Sequence, residues 1–205
     1  MDLTPLLDRI AALPPGRRIV ALAGPPGAGK STLVDGLAAA LPSAAILPMD
    51  GYHYDDAVLR ARGTLARKGA PGTFDADGLA QTLARLKRRD EAEVAVPVFD
   101  RDLELSRGAA RIIDRAVETV IVEGNWLLLD RPPWTGLAPF FDLTVWLDVP
   151  LPELERRLRA RWTGYGFDAA RMAAKLEGND LPNAREAAAH SRAADLVLRW
   201  EGAAA

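Results

Sequence analysis

Gly24-Pro25-Pro26-Gly27-Ala28-Gly29-Lys30-Ser31-Thr32 stands between an apolar run, Arg18–Ala23 (RIVALA), and a stretch of helical apolar spacing over 33–41. It matches G-x-x-x-x-G-K-[ST] in full. Glycines in such a loop let backbone N–H groups converge on phosphate oxygens without Cβ clashes. The helix that follows turns its positive end toward the same point. Lys30 is placed to reach the β- and γ-phosphates, Ser31 to ligate Mg²⁺ through its hydroxyl, and Thr32 to touch the α-phosphate. Every residue from Gly24 to Thr32 is therefore a candidate nucleotide-binding residue, with ATP and Mg²⁺ as the expected cofactors.

Working outward, further apolar runs lie at 45–49, 117–122, 143–147 and 195–198. Helical patterns at about 75–89, 151–162, 168–177 and 183–193 alternate with them. The runs are continuously apolar, as in parallel strands covered on both faces. Three end in an acid: Asp50, Glu123 and Asp148. Ligands of open α/β sheets bind beyond the carboxyl ends of the strands, so these acids fall where chemistry is expected. Glu123 is a candidate for the second acid that a phosphate-loop site needs to hold Mg²⁺ or its water. The plain alternative is a strand-end salt bridge. Asp148 is equally placed to cap the helix after Pro150.

Other segments carry less. Residues 2–13 read as a short amphipathic helix ended by Pro14, Pro15 and Gly16. Residues 51–74 are polar and Gly-rich without periodicity. Asp75 suits a helix cap, with Leu79, Leu83 and Leu86 as the buried stripe. Residues 94–99 read as a strand in which Pro97 marks an edge or an excursion from the main sheet, with 103–105 pairing back as a hairpin. The final EGAAA is expected to fray.

Composition narrows the function classes. A chain of 205 residues fits one domain, and 49% hydrophobic with 26% charged residues is ordinary globular usage. The absence of cysteine excludes disulfide scaffolds, cysteine-ligated zinc, iron–sulfur clusters and thiol catalysis. Only two histidines, His53 and His190, exclude a multi-histidine metal site. A net charge of −2 lacks the basic excess of a nucleic-acid binder. No apolar run approaches a membrane span, and the acidic start is unlike a signal peptide, so a cytoplasmic location is expected. The guanine-reading N-K-x-D is missing. A small-molecule kinase fits the length better than a motor or transporter ATPase.

Eight segments carry a more specific resemblance: GPPGAGKST (24–32), MDGYHY (49–54), KGAPGTFD (68–75) with PVFD (97–100), VIVEGNWLL (120–128), FFDLTVWLDVP (140–150), RRLRARW (156–162), NDLPN (179–183) and AADLVL (193–198). In this order they resemble the P-loop kinase group that includes uridine kinase, phosphoribulokinase and bacterial pantothenate kinase. The tail pattern resembles bacterial proteins named as fructose transport system kinases. The resemblance implies an α/β P-loop three-layer sandwich with helices on both faces. Its five-stranded parallel sheet has the order 2-3-1-4-5, with the strands at 45–49, 117–122, 18–23, 143–147 and 195–198 in that sequence. It implies a single domain over 1–205, an acceptor-side excursion at about 51–106 with its hairpin off the sheet, and a lid at about 156–170. Partners would be a small hydroxylated substrate and a second copy of the chain, since the group often forms dimers; no nucleic acid or membrane is implied.

The same resemblance assigns site residues. Asp50 becomes the base that accepts the proton of the attacking hydroxyl, for which the alternative is an ordinary Asp-Gly turn. Arg157 and Arg161, at i and i+4 on one helix face, neutralise charge on the transferring phosphoryl group, with a solvated face as the alternative. Asn183 either contacts adenine or caps the last helix. The acceptor residues depart from known members: His53 replaces an aromatic of uridine kinases, and Arg101 replaces a histidine of pantothenate kinases. Asp100 and Arg101, with Asp102 and Glu104, form a polar group suited to a sugar or sugar-like alcohol. The alternatives are an exposed charged hairpin, a nucleoside or pantothenate-type kinase, or a nucleotide-binding switch or assembly ATPase. The five tryptophans read as packing residues.

Overall fold

The structure is a computed structural model that describes residues 2–202; Ala203–Ala205 at the end of the expected fraying tail lie outside them. Its centre is a five-stranded parallel sheet. In chain order the strands are β1 (Arg18–Ala23), β2 (Ala44–Pro48), β5 (Thr119–Gly124), β6 (Leu143–Asp148) and β7 (Leu196–Arg199), and they lie side by side as β2-β5-β1-β6-β7. This is the expected order. β3 (Glu93–Asp100) and β4 (Leu105–Asp114) form a separate antiparallel hairpin.

The period of 2 in a strand sends alternate side chains to opposite faces. Ile19, Ala21 and Ala23 of β1 therefore join Val120 and Val122 in one core, beneath α4 (Ala76–Arg88). Val20 and Leu22 join Ile121, Val145 and Leu147 in the other, beneath α1 (Thr4–Ala11) and α2 (Lys30–Ala40). α4 has the expected stripe, with Leu79, Leu83 and Leu86 fully buried, and Asp75 Oδ1 caps it by accepting from the Gly78 N–H at 2.9 Å. After β6 come α5 (Leu151–Gly164), α6 (Ala169–Lys175), a π-turn at Leu176–Asp180 and α7 (Leu181–His190). No helix of the described residues is long and apolar enough to cross a membrane.

Three expectations are corrected. Residues 51–74 contain a short helix, α3 (Asp56–Ala61), capped by Asp55, which accepts from the Ala57 N–H at 2.7 Å. Six residues are too few to display an apolar period. The hairpin's second strand is far longer than 103–105 and runs to Asp114. Most of its side chains are exposed on both faces, so its sequence carries no alternation. Asp148 caps nothing: Pro150 precedes α5, and the Asp148 carboxylate faces Arg199 at 3.6 Å. Pro97 does mark an excursion, and the hairpin register shifts between Val96 and Val98 around it.

The hairpin reaches the sheet through a glycine. Gly51 lies just beyond β2, and a Cβ there would stand 2.4 Å from the Pro97 carbonyl oxygen. Backbone cannot yield as a flexible side chain can. Gly51→Ala should push the hairpin away from Asp50 and cost about 1–3 kcal/mol, the usual range for overpacking. Urea unfolding of the two proteins checks this; equal midpoints would show that the hairpin moves without cost.

Candidate active site

The phosphate loop folds as its residues dictate. Gly27 and Gly29 take φ of 82° and 94°, values that side-chain-bearing residues rarely adopt. Gly29 is the cap of α2 and offers no side-chain acceptor, so the first N–H groups of that helix stay open to an anion. A Cβ at Gly27 would meet the Leu158 side chain at 3.1 Å and the Leu154 carbonyl at 3.2 Å, so the loop lies tight against α5. The loop can be this compact only because it is glycine there.

Lys30 curls back over the loop. Its Nζ donates to the Gly24 carbonyl at 2.9 Å, to the Pro25 carbonyl at 3.2 Å and to Asn125 Oδ1. Burial pushes its ammonium down to about 8, against the pull of Glu123 and Asp50. A buried cation held mainly by neutral carbonyls lacks full compensation. Phosphate oxygens would supply it, so the loop fits a nucleotide triphosphate.

Parallel register brings the acids to the same place. Glu123 of β5 lies opposite Leu22 of β1 and Pro48 of β2, so the ends of three neighbouring strands coincide. Burial pushes the Glu123 carboxyl up to about 7, with the Asp50 charge adding and Lys30 opposing. Asp50, two residues past β2, lies in a single turn of 3-10 helix, Met49–Tyr52. Lys30, Ser31, Asp50, Arg101, Glu123 and Arg161 line one cleft of about 290 Å³. Ser31 and Glu123 supply the hard oxygen donors that Mg²⁺ takes. Pro26, Gly27, Gly29 and Thr32 line it as well.

Other expected residues sit elsewhere. Arg157 is a brace: Nε donates to Glu153 at 2.7 Å and a terminal nitrogen to the Ala28 carbonyl at 3.0 Å, fixing α5 to the phosphate loop. Arg161, one turn on, faces the cleft and forms no ion pair among the described residues. Asn183 neither caps a helix nor lines the cleft. α7 begins two residues before it, and its buried side chain donates to Asn179 at 3.1 Å and accepts from Arg67 at 3.1 Å. Asp100 is spent on the hairpin turn, accepting from the Asp102 and Leu103 N–H groups at 3.1 Å, with Arg107 at 3.3 Å.

His53 packs against Phe74 and Phe99, with ring centroids 4.0 and 4.8 Å away. Burial lowers its imidazole to about 4, so it is neutral at neutral pH, and Nδ1 has no hydrogen-bond partner. Trp126 and Trp134 are buried as expected, and Trp162 packs as well, against Leu158, Leu176 and Leu181, stacking on Phe167 at 4.8 Å and donating to Asp180 at 2.7 Å.

Two residues at the site escaped sequence reasoning. Asn125 holds Lys30, and its only signal was its place two residues after Glu123. Lys68 donates to Asp56 at 2.7 Å and lies 5.3 Å from the centre of the Phe99 ring. Its scarcity, one of four lysines among 26 basic residues, was the available hint.

No family model matches the chain. Individual proteins do. YggC of Escherichia coli, an uncharacterized protein, is 36% identical over 204 residues, covering 95% of this chain and 84% of that protein. A "putative uridine kinase" of Schizosaccharomyces pombe is 32% identical over 199 residues, 89% of this chain and 83% of its own length. A pantothenate kinase of Sorangium cellulosum is 34% identical over 160 residues, 73% of this chain but only 51% of its own length. The crystal structure of a "putative fructose transport system kinase" from Silicibacter sp. TM1040 superimposes with a TM-score of 0.89 at 41% identity, over 97% of this chain and 99% of that one. Fold, phosphate loop and relatives agree on a P-loop phosphotransferase. The chain belongs to the P-loop kinases related to uridine kinase and pantothenate kinase, and it is an ATP-dependent small-molecule kinase.

The Glu123 shift has a thermodynamic consequence for the ligand-free chain. Its carboxyl holds a proton more tightly folded than unfolded, with values of about 7 against an ordinary 4.5. Between those pH values the folded state carries the extra proton, so stability falls as pH rises through the window. Lys30 acts oppositely from pH 8 to 10.5, where the unfolded state carries the extra proton and stability rises with pH. Glu123→Gln should remove the first slope. Urea unfolding at pH 5 and pH 7.5 should show wild type losing on the order of 2 kcal/mol more than the variant. Parallel losses would mean that Glu123 keeps an ordinary affinity for its proton.

Proposed function

We propose that this chain transfers the γ-phosphoryl group of Mg-ATP to a hydroxyl of a sugar or sugar-like alcohol. The observation that carries this reading is the shared cleft: a carboxylate free of the buried core, Asp50, faces the same space as the phosphate loop and Arg161. Mg-ATP, when bound, supplies the phosphoryl group and part of the charge neutralisation. The backbone N–H groups of Gly24 and of Gly27 to Thr32, Pro25 and Pro26 having none, bind its phosphates together with the Lys30 ammonium. The Ser31 hydroxyl and the Glu123 carboxylate hold the metal or its water. Asp50 orients the acceptor hydroxyl and takes its proton, and Arg161 offsets charge on the group in transfer. Arg157 contributes indirectly, by keeping α5 seated on the loop. Catalysis of this kind is positioning and charge neutralisation, without a covalent enzyme intermediate.

His53, neutral and bearing a buried unpartnered nitrogen, and Arg101 give the acceptor side hydrogen-bonding capacity. The structural neighbour at 41% identity is named a "putative fructose transport system kinase". Asp100 gives no support, since the hairpin turn occupies it.

ADP release with Mg-ATP across sugars, sugar acids, nucleosides and pantothenate tests the reading, with Lys30→Ala as the blank. One sugar-like acceptor should raise the rate about a hundredfold, equivalent to roughly 2.7 kcal/mol of barrier. Asp50→Asn should then lower transfer by about 10²–10⁴-fold while Mg-ATP binds as before. Wild-type turnover in that variant would remove Asp50 from the role of base. Stimulation by a nucleoside or pantothenate alone would reassign the acceptor.

A further inference from the structure

Arg101 lies at the turn between β3 and β4, outside the sheet, yet its guanidinium reaches back to the Asp50 carboxylate. We infer that Arg101 is a latch on Asp50 that sorts the true acceptor from water: it occupies the carboxylate until an acceptor displaces it, and so suppresses transfer to solvent. The inference rests on the kinase reading above, because it concerns the residue proposed there as base.

Four observations support it. The contact joins two separate elements across the cleft, so it forms only where the hairpin docks, through Gly51 against Pro97. The cleft has two carboxylates, and Glu123, at the end of β5 beside Lys30, is the more deeply set and is the one proposed above for the metal. Asp50 is thus the acid open to an incoming hydroxyl, and Arg101 is its ion-pair partner among the described residues. The Arg101 side chain is 55% exposed, so the pair can open without burying an unpartnered charge. The Phe99 ring centre lies 5.0 Å from the guanidinium and supports it beside Asp50.

The chemistry to be suppressed is hydrolysis. A water oxygen bonds to the γ-phosphorus, the bond from phosphorus to the β–γ bridging oxygen breaks, and that oxygen leaves on ADP. The water proton passes to the Asp50 carboxylate and then to solvent. A guanidinium on the carboxylate keeps water from being held there in line. A multivalent acceptor, held by other pocket groups as well, has the binding energy to displace it, and a single water does not.

The test needs no knowledge of the acceptor. Hydrolysis of Mg-ATP alone is measured in wild type, Arg101→Gln, Arg101→Lys and the double variant Arg101→Gln with Asp50→Asn, each corrected by its own Lys30→Ala blank. Retention of Mg-ATP is measured by equilibrium dialysis, and folding by thermal melting. Arg101→Gln should hydrolyse at least threefold faster than wild type, Arg101→Lys, which keeps the charge without the fork, should rise less than Arg101→Gln, and the double variant should return to the wild-type rate or below. An unchanged rate in Arg101→Gln overturns the latch. So does a slower one, which would place Arg101 on the phosphoryl group instead. A rise that survives in the double variant overturns it too, since the water would then not be using Asp50. Failure of wild type to retain Mg-ATP would instead strike the kinase reading itself.

Discussion

Everything at the site depends on the parallel register of three strands. β5 lies between β1 and β2, and its Glu123 stands level with Leu22 and Pro48. The chain therefore leaves β1 as the phosphate loop, leaves β2 as the Asp50 turn and carries Glu123 near the end of β5, all at the carboxyl ends of the strands. A slip of one residue would send Glu123 to the opposite face. Such a slip is prevented by burial on both sides, since Val120 and Val122 fill one core and Ile121 the other. Gly124 adds a steric lock: a Cβ there would stand 2.4 Å from that of Met49, just before Asp50.

That convergence has an electrostatic cost which the site turns to use. Lys30 and Glu123 are both buried deeply enough to be driven toward neutrality, one down to about 8 and the other up to about 7. Each partly compensates the other. A polyanion accompanied by a divalent cation answers both deficits at once, anion to Lys30 and cation to Glu123. The ligand-free site is thus arranged around charges that are better satisfied when it is filled.

The frame was legible because it obeys local rules. The P-loop spacing, each continuous apolar strand and the acid at its end are patterns contained within a few consecutive residues, and strand order followed from the resemblance. What failed to show depends on distant partners. Asn183 looked like a cap or a base contact, but Arg67, 116 residues away, claims its oxygen. Asp100 looked like a ligand, but three hydrogen-bond donors of its own hairpin engage both of its oxygens. Arg157 and Arg161 are equivalent on a helical wheel, and only the loop carbonyls reached by Arg157 separate them. The Arg101–Asp50 pair spans 51 residues and two elements, with no periodicity to announce it.

The acceptor side is supported by the π-turn at Leu176–Asp180. Its Gly178 carbonyl accepts from Arg67, and Asn179 donates to the Lys68 carbonyl at 2.7 Å. Asp180 accepts from Trp162, next to Arg161, at 2.7 Å. One widened helical turn thereby holds both the 65–73 loop, whose Lys68 borders Phe99, and the end of the helix that carries Arg161 into the cleft. Insertions of this kind into helices recur at functional sites because they redirect side chains without ending the helix. Here three consecutive residues, Gly178, Asn179 and Asp180, each anchor a neighbouring element. The 65–73 loop and the helix that carries Arg161 consequently share a support, through Asn179 and Asp180.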